Sequence, residues 1–201
     1  MAVFRFSLFL ILLLVAVFPA QGASIRPMAG IGILFLRPFV PERADELKVI
    51  PLYAEPGIVR LAELDAARFP SLDPAVTQHP GQRAVAVLEK RREWLRIAYD
   101  DAGREGWIRL RRFWDYLPWM DFLPGRSARL LPGLRETLTR LRREPSNDSA
   151  SSVRFAPDRV FRIVSIRDDW ARVTADGAVD GWLRWRDADG RLMFALEAPV
   201  P

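Results

Sequence analysis

Two hydrophobic patterns divide the chain. An unbroken apolar run, Leu8–Phe18 (LFLILLLVAVF), dominates the first two dozen residues, whereas short alternations of apolar and polar residues recur farther along. Alternation with a period of two marks strands that bury one face, because successive side chains point to opposite sides. Val85, Val87 and Trp94, with Ile97 beyond, follow that pattern, and Trp94–Tyr99 (WLRIAY) predicts a strand. A charged turn, Lys90–Glu93, precedes it. Asp100–Glu105 (DDAGRE) follows as a hairpin turn with a glycine available for positive φ. Gly106-Trp107-Ile108 then opens the next strand, and the glycine there predicts a bulge or a sharp bend.

The same series recurs 76 positions on. That shift places Arg83 on Arg159, Val87 on Ile163, Arg91 on Arg167, Trp94 on Trp170, Arg96 on Arg172 and Asp100 on Asp176. It also superposes Pro56-Gly57 on Pro132-Gly133. After one deletion, Gly106-Trp107-Ile108-Arg109 matches Gly181-Trp182-Leu183-Arg184. Four of the seven tryptophans thus pair in register. Self-similarity at a fixed period is the mark of a duplicated structural unit.

The segments VAVLEKRREWLRIAYDDAGREGWI and FRIVSIRDDWARVTADGAVDGWL resemble bacterial SH3 (SH3b) domains, which read as strand, polar turn, Trp-x-x-[Val/Ile], Gly-containing hairpin and Gly-Trp-[Val/Ile]. The likeness covers the last two-thirds of each repeat. It implies an all-β fold of two tandem SH3-like small β-barrels, which here would follow the N-terminal signal peptide that the leading apolar run predicts. The expected divisions are a signal peptide at 1–23, an irregular lead-in at 24–47, a first module at 48–121 and a second at 122–201. The likeness also implies a groove lined by aromatic side chains, for which Trp94, Trp170, Tyr53 and Tyr99 are the candidates. The alternative for the tryptophans is barrel core, which is the preferred reading for Trp107 and Trp182, since burying an indole contributes several kcal/mol at about 25 cal/mol per Å².

Between the repeats lies a dense aromatic stretch, Phe113–Phe122 (FWDYLPWMDF). Trp114, Tyr116 and Trp119 are expected at an interface, packed between the modules or exposed to a partner. Leu134–Arg143 fits either a short amphipathic helix or a strand, and Glu144–Ser152 reads as a solvated loop. Asp65–Gln82 and Thr139–Asp158 read as long loops that match the family poorly. The tail, Arg186–Leu196, reads as a hairpin turning at Asp189-Gly190.

Leu8–Phe18 follows Arg5 and precedes Pro19 and the small residues Ala20, Gly22 and Ala23, the layout of a secretory signal peptide with cleavage after Gly22 or Ala23. The run is short for a membrane span. Export to the periplasm or the medium is expected, with no stable transmembrane span after cleavage; an uncleaved N-terminal anchor is the alternative. Arg37 and Pro38 interrupt the second apolar stretch, Ile31–Val40, so it is not read as a span.

Composition narrows the chemistry. There is no cysteine and one histidine, His79, which excludes disulfides, thiolate nucleophiles and multi-histidine metal sites. The formal charge is +5, almost all of the basic residues being arginine; Lys48 and Lys90 are the only lysines. No arginine run is long enough to indicate nucleic acid as a partner. Asp187-Ala-Asp-Gly190 resembles part of a calcium loop but lacks its first and last acidic ligands, so a turn is expected. The turn carboxylates Asp100, Asp101 and Glu105 have no partner group that would make them an acid–base pair, and there is no phosphate loop. No catalytic residue, cofactor or metal is assigned. The expected function is a non-catalytic envelope binding protein whose partner is peptidoglycan or an envelope protein. Its alternatives are a structural subunit of an envelope complex or an accessory to a wall hydrolase. The sequence assigns no oligomeric state.

Overall fold

The computed structural model describes residues 26–36, 49–72, 76, 83–177 and 179–197. The stretch read above as a signal peptide and His79 lie outside them. The first sheet comprises β1 (Gly32–Leu36), β2 (Val49–Tyr53), β3 (Arg60–Asp65), β4 (Arg83–Arg91), β5 (Trp94–Ala98), β6 (Glu105–Arg109) and β7 (Asp115–Pro118). A single helical turn, α1 (Trp119–Phe122), follows. The second sheet comprises β8 (Ser127–Leu130), β9 (Arg140–Arg142), β10 (Ser151–Arg154), β11 (Phe161–Arg167), β12 (Trp170–Ala175), β13 (Val179–Arg184) and β14 (Phe194–Leu196). The strand orders are β3-β2-β6-β5-β4-β1-β7 and β10-β9-β13-β12-β11-β8-β14, so each strand of the second sheet stands where the strand seven earlier stands in the first. The fold is all-β, two tandem SH3-like barrels.

Local details repeat along with the order. β4 carries a bulge between Val87 and Glu89, and β11 carries one between Ile163 and Ser165. The turns after them put Arg92 and Asp168 at φ 55° and 51°. Gly106 and Gly181 lie inside β6 and β13, which pair with β5 and β12 in unbroken register, so the expected bulge is absent there. Close approach explains these glycines: a Cβ would fall 2.6 Å from Leu52 Cδ1 in the first unit and 2.6 Å from Leu141 Cγ in the second.

The first third of each unit differs from the sequence reading. Gly32–Leu36, in the segment taken as irregular lead-in, is a fully buried strand between β4 and β7. The strand occupying that place in the second unit is β8. Pro56-Gly57 follows β2, whereas Pro132-Gly133 follows β8, so the two dipeptides are not equivalent. The stretch 139–158, read as a loop, contains β9 and β10. Leu134–Arg143, left open between helix and strand, forms a 3-10 turn at Glu136–Leu138 and then β9.

β1 shows no alternation because both of its faces are covered. Leu34 and Leu36 enter the first barrel's core with Ile97 and Ile108. Ile33 and Phe35 face the other way, into a cluster continuous with the second barrel's core through Trp119, Phe122 and Trp185. In β8 the same strand position alternates, with Arg129 exposed and paired to Glu197 at 2.9 Å.

The segment before β1 straps the units together. Ala29 N–H donates to Gly190 O (2.8 Å), Leu192 N–H to Pro27 O (2.9 Å) and the Arg186 guanidinium to Gly30 O (3.0 Å). Arg26 pairs with Asp187 at 2.5 Å. Burial pushes the Asp187 pKa up, but the Arg191 backbone N–H, the Arg26 guanidinium and its charge outweigh that and hold the carboxyl below its ordinary value. A depressed native pKa stabilises the fold above the unfolded value of about 3.9, and the contribution disappears as pH falls through the native value. Asp187→Asn should therefore flatten the acid limb of the urea midpoint plotted against pH, leaving less to lose below about pH 4. An unchanged acid limb would show that this carboxylate does not hold the strap.

Candidate binding face

Side-chain alternation builds the face. Leu95, Ile97 and Ile108 point into the first barrel, so Trp94, Arg96, Trp107 and Arg109 line the outside of β5 and β6. Tyr53 of β2 stands opposite Trp107. Its ring meets Trp94 edge to face, with centroids 5.1 Å apart and planes at 84°. Trp94 and Tyr53 are both half-buried. Trp107 is buried beneath the Arg91 guanidinium, 4.7 Å from the ring centroid. Arg96 is held by Glu89 (3.0 Å) and Glu105 (2.7 Å), which balances charge along the strip.

The second unit repeats the layout with altered occupancy. Trp170, Arg172, Trp182 and Arg184 take the same outward positions. Arg142 stands where Tyr53 does, and its guanidinium is drawn off to Ser149 O at 2.8 Å. Arg184 lies 4.7 Å over the Trp170 ring, and Arg167 lies 5.6 Å over Trp182. Arg172 grips Asp180 with two hydrogen bonds of 3.0 and 2.5 Å, the counterpart of Arg96 and Glu105. Burial is exchanged between the copies: Trp170 is buried and Trp182 half-buried, the reverse of Trp94 and Trp107.

Tyr53 and Trp94 are thus brought together, while Tyr99 is not. It follows β5 on the inner side, packs against the first core and carries Arg104 5.4 Å from its ring centroid. Of the three residues expected at an interface, Trp119 lies at the junction between units. It is 3 % exposed, its indole N–H donates to Ala29 O (2.7 Å), and its ring meets Trp185 at 5.7 Å. Trp114 and Tyr116 pack on the first barrel's own core. There, burial and then the charge of Asp121 raise the Tyr116 phenol pKa.

Sequence reasoning missed the arginines stacked on the tryptophans, although the repeat contained the signal: Arg91 and Arg167, like Arg109 and Arg184, occupy matched positions. It also missed Asn147, in a stretch read as solvated loop, which accepts from Arg184 Nε at 3.2 Å. Trp185 follows Arg184 without a repeated partner, because its role at the junction exists once per chain. The Asp187 turn is closed on its own backbone, with Asp187 Oδ1 accepting from Asp189 and Arg191 N–H groups at 3.0 and 2.9 Å. Among the described residues no group of three His, Cys, Asp or Glu side chains is placed to hold a metal ion, and no helix is long and apolar enough to cross a membrane.

The fold is SH3-like, and its outer face carries the paired aromatic rings. The family model described as bacterial SH3 domain matches residues 136–190, which span the 3-10 turn and β9 through β13. That segment is similar to bacterial SH3 domains, a likeness that suggests a binding module, often one for the cell wall. A search of curated proteins found no match.

Proposed function

We propose that the protein is an exported, non-catalytic binding protein of the bacterial cell envelope, and that both of its units are SH3b modules serving to hold a wall component. The observation that carries this reading is the half-buried Tyr53–Trp94 pair on the outside of the first barrel. Aromatic rings left partly open beside balanced charge offer a large contact area at low entropic cost, which suits recognition better than catalysis. The leader sequence supports export.

Retention on purified peptidoglycan sacculi tests it. The wild-type protein should co-sediment, and Trp94→Ala should weaken retention roughly tenfold, the loss expected when one aromatic anchor is removed. A wild type that stays in solution would remove the wall reading.

A second reading, docking to an envelope protein, is favoured by exposed apolar residues on the β2–β3 hairpin. Ile58 is 78 % exposed, and Val59 and Leu61 about half. Crosslinking in cells from position 58 should then trap one dominant partner, and a ladder of weak products would count against it.

A further inference from the structure

We propose that the Trp94 face of the first unit takes a cationic group, a guanidinium or a primary ammonium, from outside the chain, as the Trp170 face of the second takes Arg184 from within. The inference rests on reading these faces as binding surfaces and specifies what the open one recognises.

The second unit shows the filled state. Arg184 stacks on Trp170 and is only 17 % exposed. Two turns pin it: Asn147, between β9 and β10, accepts from Nε at 3.2 Å, and Asp169, between β11 and β12, pairs with Nη1 at 3.5 Å. A cation over an indole is attracted by the ring quadrupole, more strongly once water is excluded.

The first unit has the same parts without the internal occupant. Arg109, the counterpart of Arg184, is 69 % exposed and among the described residues pairs with Glu93 alone, at 3.7 Å. Among the described residues no cation lies over the Trp94 ring. The two turns that pin Arg184 have counterparts carrying carboxylates, Glu55 between β2 and β3 and Glu93 between β4 and β5. The first of these turns lies against the ring, since a Cβ on Gly57 would sit 3.3 Å from Trp94 Cζ2. Glu55 and Glu93 hold their present partners, Arg91 and Arg109, at 3.7 Å in exposed pairs, which give way with little loss. An aromatic surface flanked by two loosely engaged carboxylates is complementary to a cation that donates hydrogen bonds.

Titration of the full protein with N-acetyl-arginine amide, and with its neutral citrulline counterpart, tests this by NMR at the indole N–H signals. The Trp94 signal should shift saturably with the arginine compound and stay put with citrulline, while Trp170 stays silent. Glu55→Gln combined with Glu93→Gln should weaken the Trp94 response roughly tenfold. Arg184→Ala, which empties the second face, should make Trp170 respond as well. An unmoved Trp94 signal, an equal response to citrulline, an undiminished response without the carboxylates, or a Trp170 that stays silent in Arg184→Ala would overturn the proposal. Sacculus retention is read separately, so failure of the wall reading and failure of this one are distinguishable.

Discussion

Trp119→Ala is expected to lose about 3–5 kcal/mol of stability, the usual cost of truncating a buried tryptophan, and to split one unfolding transition into two. The ring bridges the units: it touches Phe122 on its own helical turn, meets Trp185 from the second unit and donates to Ala29 in the strap. Truncation leaves a cavity at the junction and an unmatched carbonyl, while each barrel keeps its own hydrogen-bonded sheet. Calorimetry on the variant and the wild type checks this. A loss under about 1 kcal/mol would mean that the ring contributes little packing, and a single retained transition would mean that the units are coupled through other contacts.

Gly106→Ala and Gly181→Ala are each expected to cost about 1–3 kcal/mol by overpacking, but to respond differently to compensation. In the first unit the three atoms nearest the added methyl all belong to the Leu52 side chain, at 2.6, 2.8 and 3.1 Å. In the second it meets Leu141 and also the Arg142 backbone oxygen at 2.8 Å, which truncating a side chain does not move. Adding Leu52→Ala should therefore relieve Gly106→Ala, giving a favourable coupling of about 1 kcal/mol or more in a double-mutant cycle. Adding Leu141→Ala should relieve Gly181→Ala only in part. Denaturant midpoints for the two cycles measure this, and equal couplings would show that the backbone contact yields.

What could be read from the sequence was the part of each unit where one face is wet. From β4 to β6, and from β11 to β13, inward residues such as Ile97 and Val173 alternate with outward arginines, and the turns between them keep nearly constant length, so a single shift aligns both copies. β1 escaped because the junction covers its outer face: GILFL carries no alternation and reads as a bare apolar run. Unequal connections hid the remaining equivalences. Residues 66–82 separate β3 from β4, whereas 155–160 separate β10 from β11, so the shift that fits the tryptophans misplaces the strands before β4 and β11. The candidate site was legible as a set of aromatic residues but not in its occupancy. That Arg184 fills one face while Arg109 leaves the other open depends on Asn147 and on Tyr53, side chains at positions where the two copies differ.

Native-state hydrogen exchange provides the most direct test that β1 walls off one barrel from the other and that the two fold as one. The Leu34 amide, in a strand the sequence disguised, should exchange only on global unfolding, at the same free energy as the core amides of Ile97 and Val173. Exchange of Leu34 through local opening, or separate free energies for Ile97 and Val173, would contradict the folding of the two barrels as one unit.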